Sequence, residues 1–494
     1  MQSFRRHRFR RRTLMLCFCL AILAGVGIAR IGVLVGYIWP AVLAPFIFVA
    51  WPKRTLTTLL LAILLGLSIG WCRGSFFTQK LAGYAPYEHQ KITLVATADE
   101  DAVYGKSQQL AFTASNIVLQ DGKHLSGKMQ LSGFGVNAVF QGDTVAAAGK
   151  LYPGFGADQG SISYAKLEVL AHHPSLVSEV RRKFTAGMQT ALPEPLAPFA
   201  MGLLIGQRAD LPDNIKRDLL MVGLTHIIAV SGYNLTIILH ASRRLLAKRS
   251  KRISTFLSLG LIFAFLVLAG ASASIVRAAL VSVLSIFTAY YGRELKPLNL
   301  LALAAAVTAW ANPFYVWSDL SWYLSFLAFF GVMILAPLIQ VRFPGRWHDS
   351  IVAAVALESV CAEMLSLPFI LHQFGQLSLI GLPANVLVVS LVPLAMLLSL
   401  IAGLGGMLAG SIAGWLAWPA VILLNYMLDV AHWLAHIPRI FIQNRSLSLA
   451  AMLGLYGLVI FLTSVLHHKT KRPKHAYNST DQGELYDEPL SAMH

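Results

Sequence analysis

The sequence predicts a polytopic α-helical membrane protein of about 12 spans with one small extracytoplasmic β-domain. Of the 494 residues, 56% are hydrophobic and only 13% are charged, and the mean hydropathy is +0.62. Soluble domains carry about 25% charged residues. Apolar stretches long enough to cross a bilayer, roughly 20 residues each, recur over 13–71 and again over 223–466. A polar block with a different hydrophobic period separates these two apolar blocks.

The first apolar block contains three predicted spans, at about 13–29, 31–51 and 55–72. A basic run at 5–12 precedes them and is interpreted as a topology determinant, since Lys and Arg accumulate on the cytoplasmic side. Binding of anionic lipid or nucleic acid is the alternative for these arginines. A cleaved secretory signal is disfavoured because no small-residue cleavage site follows and two more spans come directly after.

The second apolar block contains nine further spans, and its basic loops test the orientation of the chain. The predicted spans lie near 224–242, 253–270, 274–291, 297–311, 320–339, 350–372, 378–402, 415–436 and 447–466. With the N-terminus inside, every basic cluster falls on the cytoplasmic side: Arg243, Arg244, Lys248, Arg249, Lys251 and Arg252; Arg293 and Lys296; Arg342 and Arg346; Lys469, Lys471, Arg472 and Lys474. Both termini are therefore expected in the cytoplasm.

In the polar block, residues 75–175, apolar and polar residues alternate with a period of two, so this block is expected to form the extracytoplasmic β-domain. Its strand-like segments are 92–96, 109–114, 128–131 and 143–147. Four or five short strands in roughly a hundred residues are typical of a partly open barrel of the OB type, and another small barrel stays open as an alternative. The block has 7 Lys and no Arg against 8 acidic residues, so electrostatic binding of phosphates would be weak.

An amphipathic helix is predicted at 175–190, between the β-domain and the second apolar block. It lies either on the outer membrane surface or, as the favoured alternative, as a strut between the β-domain and the spans. The predicted organisation is an anchor of three spans at 1–74, the β-domain at 75–175, amphipathic and linker helices at 176–222, a channel domain at 223–466 and a cytoplasmic tail at 467–494.

Polar residues inside a predicted span are the first candidates for function. His226, Ser231, Gly232 and Asn234 lie within 224–242, where polar side chains face a cavity or a neighbouring helix. Gly232 marks a place where the helix can break and expose its backbone. Hydrogen bonding between helices is the alternative role for these groups. The four cysteines, Cys17, Cys19, Cys72 and Cys361, lie in or at the ends of spans and suggest no disulfide framework, and no metal or cofactor site is expected.

Several motifs from residue 199 onwards resemble those of the ComEC-type competence proteins of the bacterial cytoplasmic membrane. They are found, in family order, at 199–206, 223–226, 229–232, 274–279, 312–313, 324–328 and 383–385, and the β-domain resembles the family's OB-like region through 142–143 and 149–151. The resemblance implies a multi-pass inner-membrane channel that imports single-stranded DNA during natural transformation. It also implies a DNA receptor outside and an ATP-driven motor inside, since the chain has no phosphate-binding loop.

Three features depart from the family pattern. Asn234 stands where the family often has a His, and Trp322 and Tyr323 stand where a Phe-Gln pair is commoner. Larger members end in a metallo-β-lactamase-like domain, whereas about 28 residues follow the last predicted span here. No His-x-His-x-Asp-His cluster occurs in the sequence, so no nuclease activity is expected of this chain.

A DNA strand carries a charge on each phosphate and therefore requires a hydrated, polar-lined path, because a charge in the bilayer centre costs several kcal/mol. The candidate lining residues are His226, Ser231, Gly232, Asn234, Arg277 and Asn385. Tyr233, Trp322 and Tyr323 are candidates for base stacking, although packing is the commoner role of such aromatics. Arg277 is alternatively a partner of Glu358 or Glu363 in a structural ion pair.

Two other function classes stay open from the residues alone. A secondary transporter would share the broken helix but should show inverted repeats, and none is seen in the sequence. A membrane-embedded serine hydrolase would use Ser231 as nucleophile and His226 as base. These two residues share a helix face only if the helix breaks between them.

Overall fold

The computed structural model describes residues 8–50, 52–104, 109–154, 158–173, 176–206, 211–228, 250–269, 273–292, 296–342, 351–409 and 413–470. They belong to two compact units. The first combines Met1–Leu327 with Ser378–Ile442, and the second combines Ala328–Leu377 with Gln443–His494. Ser231, Gly232, Tyr233 and Asn234 lie outside the described residues.

The N-terminal anchor consists of α1 (Arg11–Ala29), α2 (Ile38–Ala50) and α3 (Leu56–Ala82). Helix α1 packs along α3 at very short range because glycines remove the side chains between them. A Cβ placed on Gly70 would lie 2.1 Å from the carbonyl oxygen of Ile22, and one placed on Gly25 would lie 2.2 Å from that of Leu67. Such small-residue contacts let membrane helices approach closely. Helix α2, with 13 residues, is shorter than the span predicted at 31–51.

The β-domain is a mixed sheet whose five long strands form a closed ring. The strands are β1 (Lys91–Ala98), β2 (Val103–Tyr104), β3 (Leu110–Leu119), β4 (His124–Leu125), β5 (Met129–Phe134), β6 (Thr144–Pro153) and β7 (Gly160–Ala171). Strand β1 pairs with both β3 and β6, and the ring continues from β6 through β7 and β5 back to β3. Only the β5–β7 pair among them is parallel. The four predicted strands overlap β1, β3, β5 and β6.

The interior of the ring explains the alternation seen in the sequence. Inward-facing side chains are fully buried, such as Leu94, Met129, Leu131, Val145 and Ile162. The intervening residues of β5 and β7 face outwards. Successive side chains of a strand point to opposite faces. A block in which every second residue is apolar can therefore form a barrel with an apolar interior and a polar outer surface.

Three helices, α4 (Leu176–Ala191), α5 (Leu196–Ile205) and α6 (Asp213–Met221), follow the β-domain. Helix α4 contacts the β-domain through Arg181, 3.9 Å from Asp101, and through Arg182, whose guanidinium lies 4.8 Å from the Phe140 ring centroid. Its apolar face, with Phe184 and Met188, belongs to the main helical core. The helix therefore touches both parts, as a strut does.

The remaining helices carry the apolar second block. They are α7 (Lys251–Ala269), α8 (Ala273–Tyr290), α9 (Pro297–Ala311), α10 (Phe314–Trp317), α11 (Leu320–Phe330), α12 (Ala336–Arg342), α13 (Ile351–Phe374), α14 (Gly381–Val388), α15 (Val392–Ala409), α16 (Ala413–Ala435) and α17 (Leu449–Thr470). A π-helical turn, Gly331–Leu335, joins α11 to α12, and the two-residue strands β8 (Leu377–Ser378) and β9 (Phe441–Ile442) complete the elements.

Five helical segments in the described part of the chain are long and apolar enough to cross a membrane: Arg11–Ala29, Leu56–Tyr87, Leu320–Val341, Gly381–Leu408 and Ala413–Ala435. Shorter apolar helices accompany them at Ile38–Ala50, Leu196–Ile205, Ile275–Thr288, Pro297–Ala311 and Leu449–Val465. The largely helical, multi-pass character is thus confirmed. The total of twelve spans stays a prediction, because most of the span at 224–242 lies outside the described residues.

Candidate functional site

The turn 222–228 leads from α6 into the span that carries the candidate polar cluster. Gly223 adopts φ +76°, a left-handed conformation that glycine accepts without a Cβ penalty. The N–H of Leu224 then donates to Leu219 O at 2.8 Å. Leu224, Ile227 and Ile228 are buried in the main helical core, whereas His226 is exposed, with its Nδ1 3.1 Å from Gly223 O. The turn is therefore fixed by apolar contacts, and His226 is left on its open side.

This turn packs on the start of α14, the helix that carries Asn385. A Cβ placed on Gly223 would lie 3.3 Å from Ser378 Cβ and 3.6 Å from Gly381 Cα. Among the described residues, the buried Ser378 Oγ and Asn385 Oδ1 have no hydrogen-bond partner. A buried polar atom without a partner costs about 1–3 kcal/mol. The structure thus brings the His226 turn and the Asn385 helix together beside unsatisfied polar atoms.

Arg277 is held inside the first unit and is 1% exposed. Its Nη2 donates to Ser321 O at 3.0 Å, and its guanidinium carbon lies 5.7 Å from the Phe326 ring centroid. Its Nε and Nη1 have no hydrogen-bond partner within the part of the chain that the structure describes. All of these contacts come from α11, which therefore positions the guanidinium.

Asp319 is a charge beside Arg277 that the sequence analysis missed. It is 7% exposed, and its Oδ1 accepts hydrogen bonds from the N–H groups of Ser321 at 2.9 Å and Trp322 at 3.3 Å. It therefore caps the N-terminus of α11. Its carboxylate also interacts electrostatically with Arg277. An aspartate directly before an apolar run was the available sequence signal for this cap.

The predicted partners of Arg277, Glu358 and Glu363, lie on α13 in the second unit. Both carboxylates are partly buried, and Glu363 Oε2 has no hydrogen-bond partner among the described residues. Their pairing with Arg277 stays a prediction.

The aromatic candidates Trp322 and Tyr323 make packing contacts. Trp322 is 7% exposed, its Nε1 donates to Thr308 Oγ1 at 3.0 Å, and its ring centroid lies 4.6 Å from that of Phe326. The Tyr323 hydroxyl donates to Val316 O. These bonds are those expected for buried aromatics that satisfy their polar ends. Base stacking by either ring stays a prediction.

Carboxylates from the β-domain lie near the α10–α11 connection. Burial is the main cause that raises the pKa of Asp158 to about 6, and the nearby charge of Glu100 is the next. Asp99 and Asp319 also raise this pKa, while Lys128 opposes them. Lys128 itself bonds Asp99 at 2.8 Å. Asp158 therefore lies within electrostatic range of Asp319, in a neighbourhood that also contains Lys128.

The β-domain also carries exposed aromatic side chains. Phe134 on β5 and Tyr164 on β7 are 45% and 69% exposed, and their ring centroids are 6.4 Å apart. Tyr152 on β6 is 39% exposed, with Lys150 Nζ 5.6 Å from its ring centroid. We call Phe134, Tyr152 and Tyr164 the barrel aromatics. Exposed rings beside a cation are suited to stacking on nucleobases.

Metal-binding side chains come together once among the described residues, at Asp218, His432 and His436. This cluster lies at the ends of α6 and α16, and the sequence analysis named none of its three residues. Asp218 and His432 are 214 positions apart, so their contact could not be predicted from local spacing, whereas the four-residue spacing of His432 and His436 was an available sequence signal.

Comparison with known proteins places the second apolar block in a family. The sequence model of the family described as "Competence protein" matches residues 203–469, more than half of the chain. ComE operon protein 3 of Bacillus subtilis (strain 168) is 25% identical over 231 residues, which cover 46% of this chain and 29% of that relative. No solved structure matches the chain. The matched region contains the His226 turn, Arg277 and Asn385, and the chain belongs to the competence protein family, whose members are implicated in DNA uptake.

Proposed function

We propose that this protein is a bacterial inner-membrane channel through which single-stranded DNA enters during natural transformation. The observation that carries the proposal is a pair of buried polar atoms, Ser378 Oγ and Asn385 Oδ1, that have no hydrogen-bond partner among the described residues and lie on the segment against which the turn before Ser231–Asn234 packs. Buried polar groups normally have partners. A hydrated path beside these two atoms would supply their partners and accommodate a phosphate backbone without a strong electrostatic trap.

Arg277 is assigned a structural role rather than a phosphate contact. Its guanidinium is 1% exposed and interacts electrostatically with Asp319. Asp319 already supplies a negative charge beside the guanidinium, and its repulsion of a phosphate opposes a DNA path there. The proposed path therefore runs along the His226–Asn234 segment and Asn385.

The β-domain is proposed to be an OB-type barrel on the outer side of the membrane. The ring order and the one parallel pair, β5 with β7, support this assignment because OB folds are five-stranded Greek-key barrels. With one more acidic than basic residue at 75–175, the barrel would guide DNA through its barrel aromatics rather than through counterion release.

The remaining features of the proposal concern the membrane and the partners. Twelve spans put both termini in the cytoplasm and the β-domain outside. A DNA receptor would deliver the strand outside, and an ATP-driven motor would pull it from the cytoplasm. The chain itself would act as a channel without catalysis.

Complementation of a deletion strain tests the proposed path. Gly232→Val should abolish transformation while protein abundance persists, because the bilayer tolerates Val but a broken helix does not. His226→Ala and Asn385→Leu should reduce transformation, and Ser231→Ala should be milder, since it removes one hydrogen bond only. Gly454→Val is the matched control, because nothing lies within 4 Å of a Cβ at Gly454.

The outcomes separate the function classes. Normal transformation in Gly232→Val would overturn the lining role of this segment. An abundant but inactive Ser231→Ala protein would instead favour the serine hydrolase.

A further inference from the structure

Two helices far apart in sequence meet and bring three metal-binding side chains together. Leu219 and Val222, at and just beyond the end of α6, are fully buried in the same core as Leu424, Met427 and Ala431 of α16. On the outer side of this contact, Asp218 Oδ2 lies 2.8 Å from His432 Nδ1. The centroids of the His432 and His436 rings are 4.2 Å apart. One ligand atom from each of the three residues lies within 4.8 Å of the others.

The hydrogen bonds define which nitrogen of each histidine carries a proton. His436 Nδ1 lies 2.7 Å from His432 O, and a carbonyl oxygen only accepts, so Nδ1–H donates. The ionised carboxylate of Asp218 likewise only accepts, so His432 Nδ1–H donates to it. In the neutral rings both Nε2 atoms then keep their lone pairs. A histidine that gives its other N–H to a carboxylate or a carbonyl is the usual arrangement of a metal ligand.

The spacing along α16 also suits a metal. His432 and His436 are four residues apart, one turn of helix, as in metal sites built from two histidines on one helix face. Asp429 lies one turn earlier on the same side and is exposed. Imidazole and carboxylate ligands together suit Zn²⁺ and similar divalent transition metals.

We propose that His432 and His436 bind one Zn²⁺-type divalent transition-metal ion through their Nε2 atoms, with Asp218 orienting His432. Asp429 or water completes the coordination. Asp218, which lies on α6 five residues before Gly223, would connect this site on α16 to α6 through its hydrogen bond to His432. The metal site stands independently of the DNA-channel proposal, because it rests only on the two helices and their side chains.

Zinc binding by the purified full chain tests the site. The protein is prepared in detergent with an affinity tag that contains no histidine, stripped with a chelator and titrated with Zn²⁺ in competition with a fluorescent chelator. We expect one Zn²⁺ per chain by elemental analysis. His432→Ala and His436→Ala should lose this ion, and Asp218→Asn should weaken its affinity by about 10- to 100-fold, as is usual for a residue that orients a ligand.

A matched control comes from the β-domain, where His172 Nδ1 lies 3.0 Å from Asp143 Oδ2. This pair resembles Asp218 and His432, but even with His173 next in sequence it forms no cluster of three potential metal ligands among the described residues, so His172→Ala should bind Zn²⁺ as tightly as the unaltered chain. Zn²⁺ should also raise the melting temperature of the unaltered protein but not that of His436→Ala.

The spectrum of the Co²⁺-loaded unaltered protein provides a test that needs no variant. Nitrogen ligation should give visible absorption that Zn²⁺ displaces. Absence of stoichiometric Zn²⁺, absence of the Co²⁺ absorption, or unchanged Zn²⁺ affinity in both His432→Ala and His436→Ala would each overturn the proposal and leave a hydrogen bond between two helices.

Discussion

Arg277 illustrates how a single buried charge organises its surroundings. Its guanidinium meets Ser321 O and the Phe326 ring, and Asp319 supplies a nearby negative charge. Leaving a buried charge without a counter-charge costs several kcal/mol. The sequence predicted that Arg277 needs a counter-charge, but which carboxylate lies nearest depends on how α8 meets α11.

A double-mutant cycle identifies the counter-charge of Arg277. Asp319→Asn removes the charge but keeps the oxygen that accepts the Ser321 and Trp322 N–H groups. If Asp319 neutralises Arg277, Arg277→Gln and Asp319→Asn together should destabilise the protein less than the sum of the single changes, by about 0.5–3 kcal/mol. Thermal unfolding in detergent measures the coupling.

Parallel cycles of Arg277→Gln with Glu358→Gln and with Glu363→Gln test the pairing predicted from the sequence. Coupling of Arg277 to either glutamate, but not to Asp319, would show that the counter-charge of Arg277 lies on α13. Strict additivity with all three carboxylates would contradict the ion pair and favour a phosphate contact.

At the scale of elements, the hydrophobic period predicted where strands form but not which strands pair. The alternation at 92–96, 109–114, 128–131 and 143–147 gave four strands of the barrel, because burial of alternate side chains is local to each strand. The closure of β1 on β3 and the parallel β5–β7 pair join distant segments. Their register follows from three-dimensional packing, which no single segment encodes.

The glycines of α3 are a sequence signal for close helix packing. Gly66, Gly70 and Gly74 repeat every four residues and lie on one face of the helix. A Cβ on each would fall within 2.6 Å of an atom of α1. Helix α1 contacts α3 through this glycine face, and α9 through Asn299 Nδ2, which donates to Arg12 O at 2.6 Å. The anchor is thus assembled around α1.

Gly70→Val should separate α1 from α3. The added side chain would overlap Ile22 O, and overpacking of this kind destabilises by typically 1–3 kcal/mol or more. We expect a lower melting temperature in detergent and lower abundance in the membrane. Gly27→Val is the matched control, since nothing lies within 4 Å of a Cβ at Gly27 on α1. Equal stability of the two variants would contradict a close glycine contact.

At the scale of the whole molecule, charge and hydropathy predict placement relative to the membrane, while chemistry depends on tertiary contacts. The formal charge of +17 lies mainly in predicted cytoplasmic loops and tails, as the orientation requires. The neighbourhoods of Arg277 with Asp319 and of Asp218 with His432 could not be predicted, because each joins helices that are distant in sequence. His226 and Asn385 were found because polar side chains are unusual in apolar stretches.

The orientation of the whole chain is open to direct measurement with two introduced cysteines. In a variant lacking Cys17, Cys19, Cys72 and Cys361, one cysteine replaces Lys166, exposed on β7, and the other replaces Lys251, exposed at the start of α7. With the β-domain outside, a membrane-impermeant thiol reagent should label Lys166→Cys in intact spheroplasts and Lys251→Cys only after lysis. Both positions are exposed lysines, so a difference in labelling reports the side of the membrane rather than burial. Labelling of Lys166→Cys only after lysis would invert the topology, and it would place the barrel aromatics where incoming DNA could not reach them before crossing the membrane.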